Sequence, residues 1–289
     1  MNRSSPYEGF ELAYQRVGTG RPVVLIHGWP GDHTDYDLLI PMIKVHADVI
    51  AVDLRGFGCS DKHSVDPESA YSGKAQARAV IALMEELGLQ DAIICGYDVG
   101  SCVARNIASM RADLVSSMVL SPPLPGAGHR LLELAKASEF WYAAFNKLGI
   151  FSRLVDGNMD AAKAYLTHFW SHWSGPAYQF DEGRLAHLTD VYSAPGSFEA
   201  SCAFYKTSDN PLTASAAELL PERDDRLTTP TIVLWPENDP IFPADWSDRL
   251  AEFFVRYRLV VMPMIGHFSP VEGAPYFARA IHDLLEEEK

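Results

Sequence analysis

Three side chains in this sequence have the types and the chain order needed for nucleophilic catalysis: Asp98 in "CGYDVGS", Asp239 in "WPENDP" and His267 in "MIGHFSP". A carboxylate is ionised at neutral pH and attacks carbon without the help of a base. An imidazole can take a proton from water, and a second carboxylate can hold that imidazole in the orientation it needs. Asp98 is the candidate nucleophile because of its setting: Gly96 and Gly100 flank it, and such a turn projects the central side chain alone while the glycines let neighbouring backbone pass closely. On the turn after "TIVLW" two acids compete, Glu237 and Asp239. His27 in "HGWPG" reads as a turn histidine bonded to backbone. His168 and His172 stand four apart, as zinc ligands can, but without a glutamate beside them or a third ligand in view. No metal and no cofactor are expected.

The elements that must position these groups are legible as apolar, β-branched runs closed by turn residues: "PVVLIHG", "DVIAVDLRG", "DAIICGYD", "SSMVLSPP", "TIVLWPEND" and "RLVVMP". Runs of that kind predict strands buried on both faces, hence an α/β fold with a mostly parallel sheet and helices on both faces. Asp98, Asp239 and His267 each follow one of these runs, so they converge at the carboxyl ends of the strands, where open α/β sheets bind ligands. "VGSCVARNIASM" reads as the helix that leaves the Asp98 turn. From Pro123 to about Asn210 the pattern changes to helical, aromatic-rich segments: "LLELAKASEFWYAAFNKL", "DAAKAYLTHFWSHW" and "PGSFEASCAFYKTS". Residues 123–210 are therefore expected to form an inserted helical cap, or lid, on a core made of residues 1–122 and 211–289. The peptide before Pro30 has the setting of a cis bond in a tight turn.

With "HGWPG", "DLRGFGCSD", "GYDVGS" and "IGHFSP" in order, and "EFWYAAFNKLG" and "KAYLTHFWSHWSG" in the insert, the chain resembles, over nearly its whole length, the epoxide hydrolase branch of the α/β-hydrolase fold, and in particular its bacterial soluble members. The resemblance implies Asp98 as nucleophile, Asp239 as the acid in preference to Glu237, and His267 as base. It implies that Tyr142 in "EFWYAAF" and Tyr205 in "CAFYKTS" are a ring-opening pair. The sequence departs from the family pattern at Tyr97, where histidine is common, and Tyr97 is expected to sit behind the elbow.

In the reaction that this implies, Asp98 opens an apolar epoxide by back-side attack while the two phenols stabilise the departing oxygen. Water activated by His267 then hydrolyses the ester to a vicinal diol. The N–H groups of Trp29 and Val99 would form the oxyanion hole. Trp29, Trp141, Phe145, Phe204 and Phe268 are the candidate substrate-binding residues, and Phe140, Phe169, Trp170 and Trp173 are further aromatics of the pocket or of the cap core.

Rival readings are a dehalogenase using the same aspartate, a serine esterase and a non-catalytic ligand receptor on this scaffold. A haloalkane dehalogenase would be expected to carry tryptophan at Val99, and a fluoroacetate-type enzyme arginines just after the nucleophile, whereas Arg105 lies further along. Ser101 lies off the apex of the elbow. The formal charge of −14 argues against nucleic acid or an anionic membrane as partner. Four scattered cysteines and an opening without a charged stretch followed by an apolar run fit a reduced cytoplasmic enzyme. Oligomeric state has no signature.

Overall fold

The computed structural model describes residues 1–286. Eight strands form one sheet in the order β1-β2-β4-β3-β5-β6-β7-β8: β1 Asn2–Arg3, β2 Ala13–Gly18, β3 Arg21–Ile26, β4 Ala47–Val52, β5 Ala92–Gly96, β6 Val115–Leu120, β7 Thr231–Pro236 and β8 Tyr257–Met262. From β4 to β8 the neighbours run parallel, and β1 and β2 add an antiparallel edge. The apolar runs form β3 to β8 as expected. In β4, β5 and β7 every residue is buried. β8 differs, with Tyr257, Leu259 and Val261 exposed, because it is the terminal strand and only one neighbour covers it. β1 and β2 carry no long apolar run. β2 alternates inward and outward toward its end, as an edge strand does when one face meets solvent.

Register places the chemistry. Ile26 of β3 lies beside Gly96 of β5, Gly96 beside Leu120 of β6, and Pro236 of β7 beside Met262 of β8. Strands that end level release their following loops together, so the turns carrying Trp29, Asp98, Asp239 and His267 emerge on one edge. Two groups of helices cover the sheet. Helix α1, Gly73–Glu86, packs with α2, Val99–Met110, and the short helix Ile40–Ile43 packs with the C-terminal helix Ala274–Glu286.

Between β6 and β7 the described residues form helices and no strand, and the helical run continues past residue 210 into Pro211–Ala216. Two helices dominate this insert: α3, Met159–His172, and α4, Glu182–Ser193. Their starts are written locally. The Asn158 side chain accepts from Ala161 N at 3.2 Å, and Asp181 accepts from Gly183 N and Arg184 N at 2.8 and 3.1 Å, which satisfies amide groups that a helix leaves unpaired at its first turn. The insert joins the hydrophobic core of the sheet through buried Phe140, Tyr142, Phe169, Trp173, Phe198 and Tyr205.

Candidate active site

Asp98 is held in a conformation that residues with a Cβ seldom adopt. Its φ is 49°, a region costly for a residue with a Cβ and concentrated at functional sites. The turn is possible because its neighbours are glycines: a Cβ on Gly100 would lie 2.1 Å from the Ile26 carbonyl oxygen, and one on Gly28 2.6 Å from Cβ of Asp98. Asp98 occupies the N-cap position of α2, but its side chain makes no capping bond. Instead Oδ1 accepts from the backbone N–H of Trp29 at 2.7 Å, and Oδ2 lies 3.4 Å from Nε2 of His267. On the other side of the imidazole, Nδ1 is 2.9 Å from Oδ2 of Asp239. The second oxygen of Asp239 accepts from the N–H groups of Ile241 and Phe242 at 2.9 and 3.1 Å, so the acid is fixed before it orients the ring. Glu237, the competing acid, is exposed.

The His267 ring is buried between two carboxylates. Burial disfavours its charge, but Asp239 and then Asp98 outweigh that effect and raise its pKa from 6.5 to about 10. The phenols of Tyr142 and Tyr205, with ring centroids 5.5 Å apart, are buried. Both are pushed well above the ordinary tyrosine range, chiefly by burial, with the nearby Asp98 charge adding to it. The Trp29 ring stacks on Tyr142, centroids 5.5 Å apart and planes 5° from parallel, and meets Tyr205 edge-on at 5.3 Å. The Trp29 indole thus packs against both phenols, while the backbone N–H of the same residue holds the Asp98 carboxylate. The peptide from Trp29 to Pro30 is cis.

A cavity of about 420 Å³ ends on Asp98, Val99 and Tyr205, with Phe204 and Phe242 in its wall. Phe204 is thus one of the expected substrate-binding residues that line it. Trp29, Trp141, Phe145 and Phe268 are not among the lining residues, and Trp29 is fully buried under the aromatics of the insert. Trp141 is 44% exposed, Phe145 packs inside the insert on Phe151 and Tyr165, and Phe268 stacks on Trp170 at 3.7 Å. Helical spacing alone does not tell an aromatic that faces a cavity from one that fills a seam. A larger cleft of about 560 Å³ elsewhere along the seam, bordered by Thr34, Arg184 and Glu272, holds none of the groups named above as acid, base or nucleophile. His27 is used by backbone, through Gly28 O and Leu54 N. His172 meets Glu139 at 2.9 Å and His168 stacks on His172.

Sequence reasoning missed Asp35 and Arg184 altogether, and gave Tyr97 and Arg105 no part in this neighbourhood beyond packing and a position further along the helix. Tyr97 does sit behind the elbow, but its hydroxyl also donates to Asp35 Oδ2 at 2.5 Å. Asp35, fully buried, also accepts from Arg184 of α4 at 2.9 Å. Arg105 of α2 lines the cavity. Only its position two turns after Asp98 on a helical face pointed to Arg105, and nothing in the sequence pairs residue 184 with residue 35.

Residues 21–274 match the family model of the alpha/beta hydrolase fold, and the chain belongs to that family. Within it the chain is similar to the soluble epoxide hydrolase of Corynebacterium sp. (strain C12), 30% identical over 274 residues, which cover 91% of this chain and 90% of that one. It is also similar to a non-heme haloperoxidase of Rhodococcus erythropolis, 28% identical over 280 residues and 90% of each chain. An inhibitor-bound Bacillus megaterium epoxide hydrolase shares the fold at a TM-score of 0.80 and 17% identity, over 98% of this chain and 99% of that one.

Proposed function

We propose that this hydrolase opens epoxides, with Asp98 as nucleophile and the helical insert as a cap over the site. The observation that carries the reading is the pairing of a carboxylate at the apex of the elbow with two buried phenols. A serine at the apex suits acyl transfer, whereas a carboxylate suits displacement at a saturated carbon, and displacement of a ring oxygen needs donors opposite the attack. Asp98 attacks a ring carbon, the carbon–oxygen bond breaks, and Tyr142 or Tyr205 gives its proton to the alkoxide. The product is an ester of Asp98. Phenols that burial keeps protonated are suited to donate.

Ester formation also changes His267. It removes the Asp98 charge that helps to hold a proton on the imidazole, so the ring gives up that proton more readily and more of it is neutral and free to accept one from water in the second step. His267, oriented by Asp239, then takes a proton from water as the water attacks the ester carbonyl. The Trp29 N–H, already bonded to Asp98 Oδ1, stabilises the tetrahedral oxyanion together with Val99 N–H; as it collapses the leaving alkoxide takes the proton from the His267 imidazolium and departs as the vicinal diol, and the proton of the regenerated Asp98 carboxyl returns to the tyrosinate. The similarity to a soluble epoxide hydrolase supports this reading.

The rival displacement reaction, release of halide from a haloacid, lacks a cation beside the nucleophile, because Val99 and Cys102 occupy the first turn of α2. The test is turnover of styrene oxide or a glycidyl ether scored for diol, beside fluoroacetate and chloroacetate scored for halide. Diol without halide is expected. Halide release at a rate matching diol formation would overturn the epoxide reading.

A further inference from the structure

The cavity that ends on Asp98 continues along one face of α2. Asp98, Val99, Cys102, Arg105 and Asn106 all line it, the spacing of a single helical face. Arg105 lies two turns beyond Asp98, an axial rise of about 10 Å. It is the single cation among the lining residues. Its Nε is buried without a hydrogen-bond partner, and among the described residues Arg105 enters no ion pair.

The carboxylates on the same wall are otherwise engaged or lie at the surface. Asp209 accepts from Gly73 N at 2.7 Å. Glu218 accepts from Gly126 N at 2.8 Å and faces Arg249 at 3.8 Å, and Asp225 is exposed. Arg105 is partly buried, and its desolvated, unpartnered Nε–H carries a cost that a ligand acceptor can relieve. Its planar fork matches a carboxylate bidentately. Much of the rest of the wall is apolar, with Leu124, Leu131, Phe204, Phe242 and Phe253.

We propose that Arg105 anchors a carboxylate subsite, and that the preferred substrate is an amphipathic epoxide with its ring at Asp98, an apolar chain along α2 and a carboxylate at Arg105, two helical turns along. This rests on the epoxide reading and narrows it. Short haloacids cannot span the two ends.

Two measurements separate the subsite from the reading beneath it. The first is kcat/KM for a homologous series of straight-chain terminal epoxides bearing a carboxylate, each beside its methyl ester. At the chain length that spans the cavity, the acid is expected to exceed its ester about 10-fold or more, the size of one charge-assisted hydrogen bond, and to do so in KM, because the contact is the same in ground and transition states. Arg105→Gln should bring the acid-to-ester ratio to near one, and Arg105→Lys should keep part of it. Equal use of acid and ester at every length, or a preference that survives in R105Q, would overturn the subsite.

The second measurement is calorimetric binding of octanoate, which needs no turnover. Octanoate should bind the wild type and bind R105Q about 10-fold more weakly or worse. Equal affinities would overturn the proposal. If octanoate discriminates but no epoxide of any kind yields diol, the subsite stands and the epoxide reading falls.

Discussion

Asp98 stands at a position where aspartate ordinarily caps a helix, yet its carboxylate caps nothing and is turned to Trp29 N and His267 instead. The proposed nucleophile role accounts for a carboxylate that gives up a cap contact typically contributing about 1 kcal/mol in a backbone conformation that is itself strained. The two phenols test the same idea from the other side. Tyr142→Phe or Tyr205→Phe is expected to slow single-turnover ester formation by about 10-fold or more, and the double variant nearly to abolish it, because a positioned general acid contributes about 10² to 10⁴. Unchanged rates in both single variants would return the rings to a packing role. His267 carries a pH signature. Its folded pKa is raised from 6.5 to about 10, so its interaction with the two carboxylates stabilises the fold fully below about 6.5 and is lost as pH rises through about 10. Urea unfolding of the wild type should therefore lose more stability across that window than His267→Gln does. Equal losses in the two proteins would show that the ring holds no extra proton.

At the scale of elements, helix α4 reaches the elbow through buried charge. Arg184 donates to Asp35 and to Thr34 O, Asp35 accepts from Tyr97, and Tyr97 immediately precedes Asp98. His187 of the same helix meets Asp32 at 2.7 Å, and Tyr192 donates to Gly31 O at 2.8 Å. Arg184→Met leaves the buried Asp35 without its ion-pair partner, which is expected to cost about 3 kcal/mol or more in urea unfolding. Burial already raises Asp35 to about 6 against the pull of Arg184. The deficit should therefore shrink at acid pH, where the carboxyl takes a proton, and grow as pH rises. Adding Asp35→Asn should restore part of the loss, and a deficit that ignores pH would contradict the pairing. This network also shows what the sequence conceals. Strands β3 to β8 and the three turns carrying Asp98, Asp239 and His267 are legible because apolar runs and turn residues are local signals. β2 escaped notice because an edge strand alternates instead of running apolar. The partnership of Arg184 with Asp35 leaves no trace in either segment, since it is created only when the insert meets the sheet. The same limit applies to Trp141, Phe145 and Phe268, whose aromatic character was plain but whose facing was not.

For the molecule as a whole, a parallel sheet and a helical insert bring groups from residues 29, 98, 142, 205, 239 and 267 to one place. The family resemblance read from four motifs agrees with the family model and with the similarity to a bacterial soluble epoxide hydrolase. No helix of the described residues is long and apolar enough to cross a membrane. The proposed account turns on one bond. If Asp98 attacks carbon and water then attacks the carbonyl of the resulting ester, the oxygen delivered to the first diol comes from the enzyme and the water oxygen stays behind in Asp98. The direct measurement is a single turnover of an epoxide in ¹⁸O-labelled water with enzyme in excess, followed by mass analysis of the diol and of the peptide containing Asp98, with His267→Ala run in parallel. The account predicts label in the peptide, little label in the diol, and a stalled His267→Ala protein heavier by one epoxide. Label in the first-turnover diol, with no adduct in the His267 variant, would mean that Asp98 activates water directly and forms no ester.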